Sequence, residues 1–152
     1  MATHDTEQYR EVLDEFERVL LTPLVSGELP AWTENALRAF QAASPVLRER
    51  IEADHPRELK QIFQEDPELA TEVEKMKRAD HEIVAALDRI GQALERLCRV
   101  VPEVEPNEAP AADVLMRLSD QGIALVIAFR RQEEAIKLWH NEALLRDRGA
   151  AD

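Results

Sequence analysis

The stretch 66–97, DPELATEVEKMKRADHEIVAALDRIGQALERL, decides the fold. Its apolar residues Leu69, Val73, Met76, Ile83, Leu87, Ile90, Leu94 and Leu97 follow steps of four and three, and Asp80 occupies the one place in the series that is not apolar. That spacing keeps one face of a 3.6-residue helix apolar. Asp66-Pro67 ahead of it reads as an N-cap followed by proline at the first helical position, where a missing N–H costs nothing.

Three more segments carry the same pattern. Upstream, a helix is predicted from about Thr6 to Leu21 on Tyr9, Val12, Leu13, Phe16, Val19 and Leu20, with Asp5 or Thr6 as its cap. Another begins near Ala31 and places Ala36, Phe40, Ala43 and Leu47 on one stripe. Pro45 lies inside this pattern and predicts a kink or a split, and Pro56 either ends it or starts a further turn through Leu59, Ile62 and Phe63. Downstream, a helix from about Ala111 to Arg146 carries Leu115, Leu118, Gly122, Leu125, Phe129, Ile136 and Trp139 on one flank. Met116, Ile123, Ile127 and Leu138 widen that face, as in a helix buried on more than one side, within one chain or against a second copy.

Prolines punctuate the joints at 23–30 and 101–110, and no period-2 run of β-branched residues competes with the helical pattern. The predicted fold is all-α: an antiparallel up-down-up-down four-helix bundle in one domain, residues 1–152. Only 5% aromatics and 4 glycines fit helices better than a β-sandwich, and 45% apolar residues exceed what a disordered acidic chain carries.

With 31 acidic against 19 basic residues the net charge is -12, which repels phosphate backbones and anionic membranes, so no nucleic acid or membrane partner is expected. Cys98 is the single cysteine, which excludes an internal disulfide and a CxxC zinc site. The N-terminus has no apolar export region and no window is long and apolar enough to span a bilayer, so the cytoplasm is the expected compartment. No G-x-S-x-G, Walker or G-x-G-x-x-G motif occurs, and no enzymatic activity is expected.

The informative residues keep the apolar phase while breaking its chemistry. From Leu47, steps of three and four lead to Arg50 and Asp54; the 66–97 series leads to Asp80; Ile123 and Ile127 lead to Arg130 and Glu134. Two guanidiniums and three carboxylates are thereby expected on inward faces. Each alone there would cost several kcal/mol, so they are expected to meet one another; the competing reading lets the charged heads reach solvent along their stems. His55 and His140 read as surface residues, Cys98 as a packing residue, and Trp32 and Trp139 as core.

Leu47-Arg-Glu-Arg-Ile-Glu-Ala-Asp54, Met76-Lys-Arg-Ala-Asp-His-Glu-Ile83, Phe129-Arg-Arg-Gln-Glu-Glu-Ala135 and the tail 142–152 together resemble the hemerythrin-like, or HHE cation-binding, family. The resemblance implies a four-helix bundle with a di-iron site built from two H-x-x-x-E pairs and an acid-His dipeptide. Here Arg50 and Arg130 stand where the family has histidines, Asp54 and Glu134 where it has carboxylates, and Asp80 at the third-helix ligand position with His81 one residue beyond. Arginine has no lone pair to offer a metal. At ~5 Å and an effective dielectric of ~20, each guanidinium repels a divalent ion by roughly 6–7 kcal/mol.

These departures imply a non-enzymatic binding or interaction module without cofactor, monomeric or homodimeric with its protein partner unspecified, in which Arg50, Asp54, Asp80, Arg130 and Glu134 form a vestigial metal-site network. The alternative is an iron-binding oxygen or redox sensor with Asp54, Asp80, His81 and Glu134 as ligands, which requires Arg50 and Arg130 to point away. A plain bundle with solvated charges is the third reading.

Overall fold

A computed structural model of the chain describes residues 2–100 and 108–151, and among these residues there are helices and no strand. The protein is all-α. Helix α1 (Ala2–Leu21) is followed by α2 (Leu29–Glu49), which passes through a π-helical turn (Arg50–Asp54) into α3 (His55–Glu65). A 3₁₀ turn (Pro67–Leu69) leads into α4 (Ala70–Val100), and α5 (Glu108–Ala151) completes the chain.

Local chemistry accounts for the joints. Gly27, at φ 83°, is the one described residue with positive φ, and it turns the chain where the Glu28 N–H reaches the Val25 carbonyl at 2.9 Å. At the next joint the Asp66 side chain accepts the Glu68 N–H at 3.1 Å, the expected cap, and Pro67 opens the 3₁₀ turn. Of the proline-punctuated connection at 101–110, residues 101–107 lie outside the described residues; Pro110 falls in the first turn of α5, where proline is tolerated.

Pro45 neither ends nor splits α2, which runs unbroken to Glu49. The break in register comes one turn later. The N–H of His55 bonds the carbonyl of Arg50, five residues back instead of four. Pro56 supplies the physical cause, because its ring would collide with the Glu52 carbonyl in a regular α-turn and it has no N–H to give. A wider turn relieves both problems, and beyond it the buried positions slip by one residue.

Two compact units divide the chain. The first comprises Met1–Leu47 and Ala86–Val126. Its core includes Leu13, Phe16, Trp32, Phe40, Leu87, Leu94, Leu115 and Val126. Phe16 meets Phe40 edge-on, ring centroids 5.7 Å apart, and a Cβ on Gly91 would sit 2.8 Å from Phe40 Cε1, so α4 and α2 approach closely there. Trp32 is buried, as expected, and its indole N–H donates to the Thr22 carbonyl at 2.9 Å.

The second unit comprises Arg48–Ala85 and Ile127–Asp152. Leu59, Ile62, Leu69, Val73, Met76, Ile136 and Ala143 form its apolar cluster, with half-buried Trp139 packed against it. Arg146 closes one end by donating to Asp66 Oδ2 at 3.2 Å.

The widened face of α5 is corrected by the structure: Met116, Ile127 and Leu138 are 57%, 42% and 62% exposed. Leu115, Leu118, Leu125, Phe129 and Ile136 fill the buried stripe, and a neighbouring residue lies about 100° further round the helix. Among the described residues no helix is long and apolar enough to cross a membrane.

Candidate functional site: a buried arginine–histidine–carboxylate network

The site lies wholly in the second unit and begins with the π turn. In a regular α-helix, side chains five residues apart point about 140° away from each other. An i→i+5 turn brings them onto the same side. Arg50 and His55 are the two ends of this turn, and both reach Glu133 on α5.

Arg50 grips Glu133 with its fork. Nε donates to Oε1 at 3.1 Å and Nη2 to Oε2 at 2.5 Å, while Nη1 donates to Asp54 Oδ2 at 3.1 Å. Glu58 lies 3.9 Å from the same Nη1, and Arg57, at the exposed rim, donates to Asp54 Oδ1 at 3.2 Å. Bidentate guanidinium–carboxylate pairs are among the strongest polar contacts a protein makes.

His55 has no solvent exposure. Its Nε2 lies 2.5 Å from Glu133 Oε1, its Nδ1 lies 2.9 Å from Asp80 Oδ1, and the ring stacks on Phe129. Gln132 completes the set: its amide donates to Asp80 Oδ1 at 2.9 Å and to the Met76 carbonyl at 2.7 Å. The interior therefore holds Arg50 and His55 against Glu133 and Asp80, two cations facing two carboxylates.

Only the imidazolium form satisfies this geometry, because a neutral ring would point a lone pair at one of the two carboxylates. Burial pushes the His55 pKa down, but the hydrogen bonds and charges of Asp80 and Glu133 outweigh it and raise it from 6.5 to about 9. For Glu133, burial favours the neutral acid, yet His55 and Arg50 outweigh burial and hold the carboxyl below the ordinary glutamate value. Arg50 is likewise shifted upward: burial opposes its charge, and Glu133, Glu58 and Asp54 more than compensate.

Of the residues predicted for an inward network, the structure brings Arg50 to Asp54 and buries Asp80. Arg130 is half-buried on α5. Glu134 is exposed, and the inward acid is its neighbour Glu133. The prediction followed the exposed series from Ile127, whereas the buried series Leu125, Phe129, Ile136 interpolates to Gln132 and Glu133. His81 is exposed, with its Nδ1 2.8 Å from the Lys77 carbonyl.

His55 was expected at the surface and is instead the centre of the site; the one-residue slip at the π turn moves it inward. His140 is half-buried rather than a surface residue, and its Nδ1 is buried with no hydrogen-bond partner among the described residues.

These residues do not fit a di-iron centre. Both nitrogens of His55 already face carboxylates, and both oxygens of Glu133 are held by Arg50. The sensor alternative requires Arg50 to point away from Asp54, and the guanidinium lies 3.1 Å from it. Among the described residues, no group of three or more His, Cys, Asp or Glu side chains is arranged to hold a metal ion. What the site defines is a closed, internally neutralised ion network in an all-α protein. No family model, curated protein or solved structure matches the chain.

Proposed function

We propose that this chain is a hemerythrin-like, antiparallel up-down-up-down bundle acting as a non-enzymatic binding or interaction module in the cytoplasm, with an ion network where a di-metal site would stand. One observation carries the reading. Arg50 and His55 share the carboxylate of Glu133, so the positive charge that balances the acids comes from the protein's own side chains. Asp80 and Glu133 are occupied by internal donors, which supports a structural rather than an acid/base role. The network fixes how α3, α4 and α5 meet in the second unit, because a wrong register strands a charge.

Metal analysis tests this directly. Protein purified from iron-supplemented cells is expected to carry well below one metal ion per chain, and to unfold identically with and without a chelator. Near-stoichiometric iron or manganese, or a loss of stability on chelation, overturns the proposal and restores the sensor reading.

A further inference from the structure

The first unit holds a cleft of about 590 Å³ between the end of α1 and the outer face of α2. That volume lies within the range of small-molecule sites. Glu28, just ahead of α2, and Ala31, Trp32, Asn35, Arg38, Ala39 and Ala42 of α2 follow helical spacing along a single face. Val19 and Pro23 of the α1 side complete an apolar floor around Trp32.

The polar groups around that floor divide into satisfied and unsatisfied. Arg18 is neutralised by Glu15, through Nε at 2.9 Å and Nη2 at 2.5 Å. The Trp32 indole N–H is taken by the Thr22 carbonyl. The Arg38 guanidinium, by contrast, has no hydrogen bond or ion pair among the described residues, and neither has the Glu28 carboxylate. They stand ten residues apart, Glu28 just ahead of α2 and Arg38 within it, or about 15 Å at 1.5 Å per residue. Arg38 is exposed, and in a chain of net charge -12 it sets a positive charge beside an apolar cleft.

We infer that this cleft binds an amphiphilic monocarboxylate, with its carboxylate on Arg38 and its apolar body along Trp32, Val19 and Ala39. A planar fork with free donors matches a carboxylate head. Glu28 at the far end opposes a second negative charge on the ligand's tail, which selects a monoanion over a dicarboxylate of similar length and sets the direction in which the ligand lies. The inference uses the first unit alone and holds whether or not the ion network replaces a metal site.

Decanoate below its micellar concentration is the probe, and the indole N–H resonances of the intact protein are the readout. Trp32 is expected to shift saturably while Trp139, outside the cleft, does not. Arg38→Gln is expected to weaken binding about tenfold or more, the worth of a charge-assisted hydrogen bond. Arg89→Gln, exposed and outside the cleft, is expected to change it by less than about twofold. Uncharged decanol is expected to bind more weakly than decanoate. The absence of a saturable shift, equal movement of both indoles, binding indifferent to Arg38→Gln, or decanol as tight as decanoate would each overturn the inference.

Discussion

Raising the pH should take away the stability that His55 contributes. In the folded protein its pKa is about 9, against an ordinary value of 6.5, so the folded state keeps a proton that the unfolded chain releases. Below pH 6.5 both states hold the proton and the whole contribution is present; between 6.5 and 9 the unfolded state gives it up first and the advantage shrinks; above 9 it is gone. The difference, 9 − 6.5, corresponds to roughly 3 kcal/mol at about 1.4 kcal/mol per tenfold change. About 2.5 kcal/mol of it should remain at pH 7, and under about 0.5 kcal/mol at pH 9.

Urea unfolding at pH 6, 7, 8 and 9.5 measures this, with His55→Gln as the reference that removes the titrating group. The curve of wild type minus variant should fall across that range. An NMR titration of the His55 ring provides a second, direct reading. An imidazole that titrates between pH 6 and 7, or a difference curve that is flat from pH 7 to 9.5, refutes the doubly bonded imidazolium.

Other perturbations separate network from packing. Arg50→Met leaves Glu133 and Asp54 without their shared donor and should cost about 3–5 kcal/mol in urea unfolding; a loss under about 1 kcal/mol would mean the charges are solvated. Glu133→Gln should destabilise the protein by about 2 kcal/mol or more and lower the His55 pKa. Glu134→Gln, one residue along and exposed, should stay within about 0.5 kcal/mol. Gly91→Ala should destabilise by about 1–3 kcal/mol despite alanine's better helix propensity, because the new Cβ would meet the buried Phe40 ring at 2.8 Å. A higher Tm for that variant would show that the ring has room to move.

The helices were legible because burial at steps of three and four is written directly in residue chemistry. Asp66-Pro67 marked its turn for the same reason. The candidate site was legible in kind, charges on inward faces, and only partly in identity. Arg50, Asp54 and Asp80 were found by phase. Glu133 was missed because α5 offers two apolar series one residue apart, and Ile127 led along the exposed one. The stripe through Phe129 and Ile136 held the signal. His55 was hidden for a different reason: a count that assumes 3.6 residues per turn cannot register a turn that uses more. Pro56 was the visible warning, but a proline can equally end a helix or kink it, and only its surroundings decide which.

The wide turn also has a meaning for chain length. Leu47 and Leu59 are both buried and stand 59 − 47 = 12 positions apart, about 120° out of line on a regular helix. Eleven positions would bring them within about 20°. A homologue that had lost the exposed Ala53, and carried no proline at the counterpart of Pro56, would need no π turn, and would space the counterparts of Arg50 and His55 four apart, a pair that an ordinary helix already aligns. Two chains differing by one residue of length could therefore present the same ion network. A residue-by-residue alignment of them needs a single gap between positions 50 and 54, and a motif written as a fixed spacing would detect only one of the two.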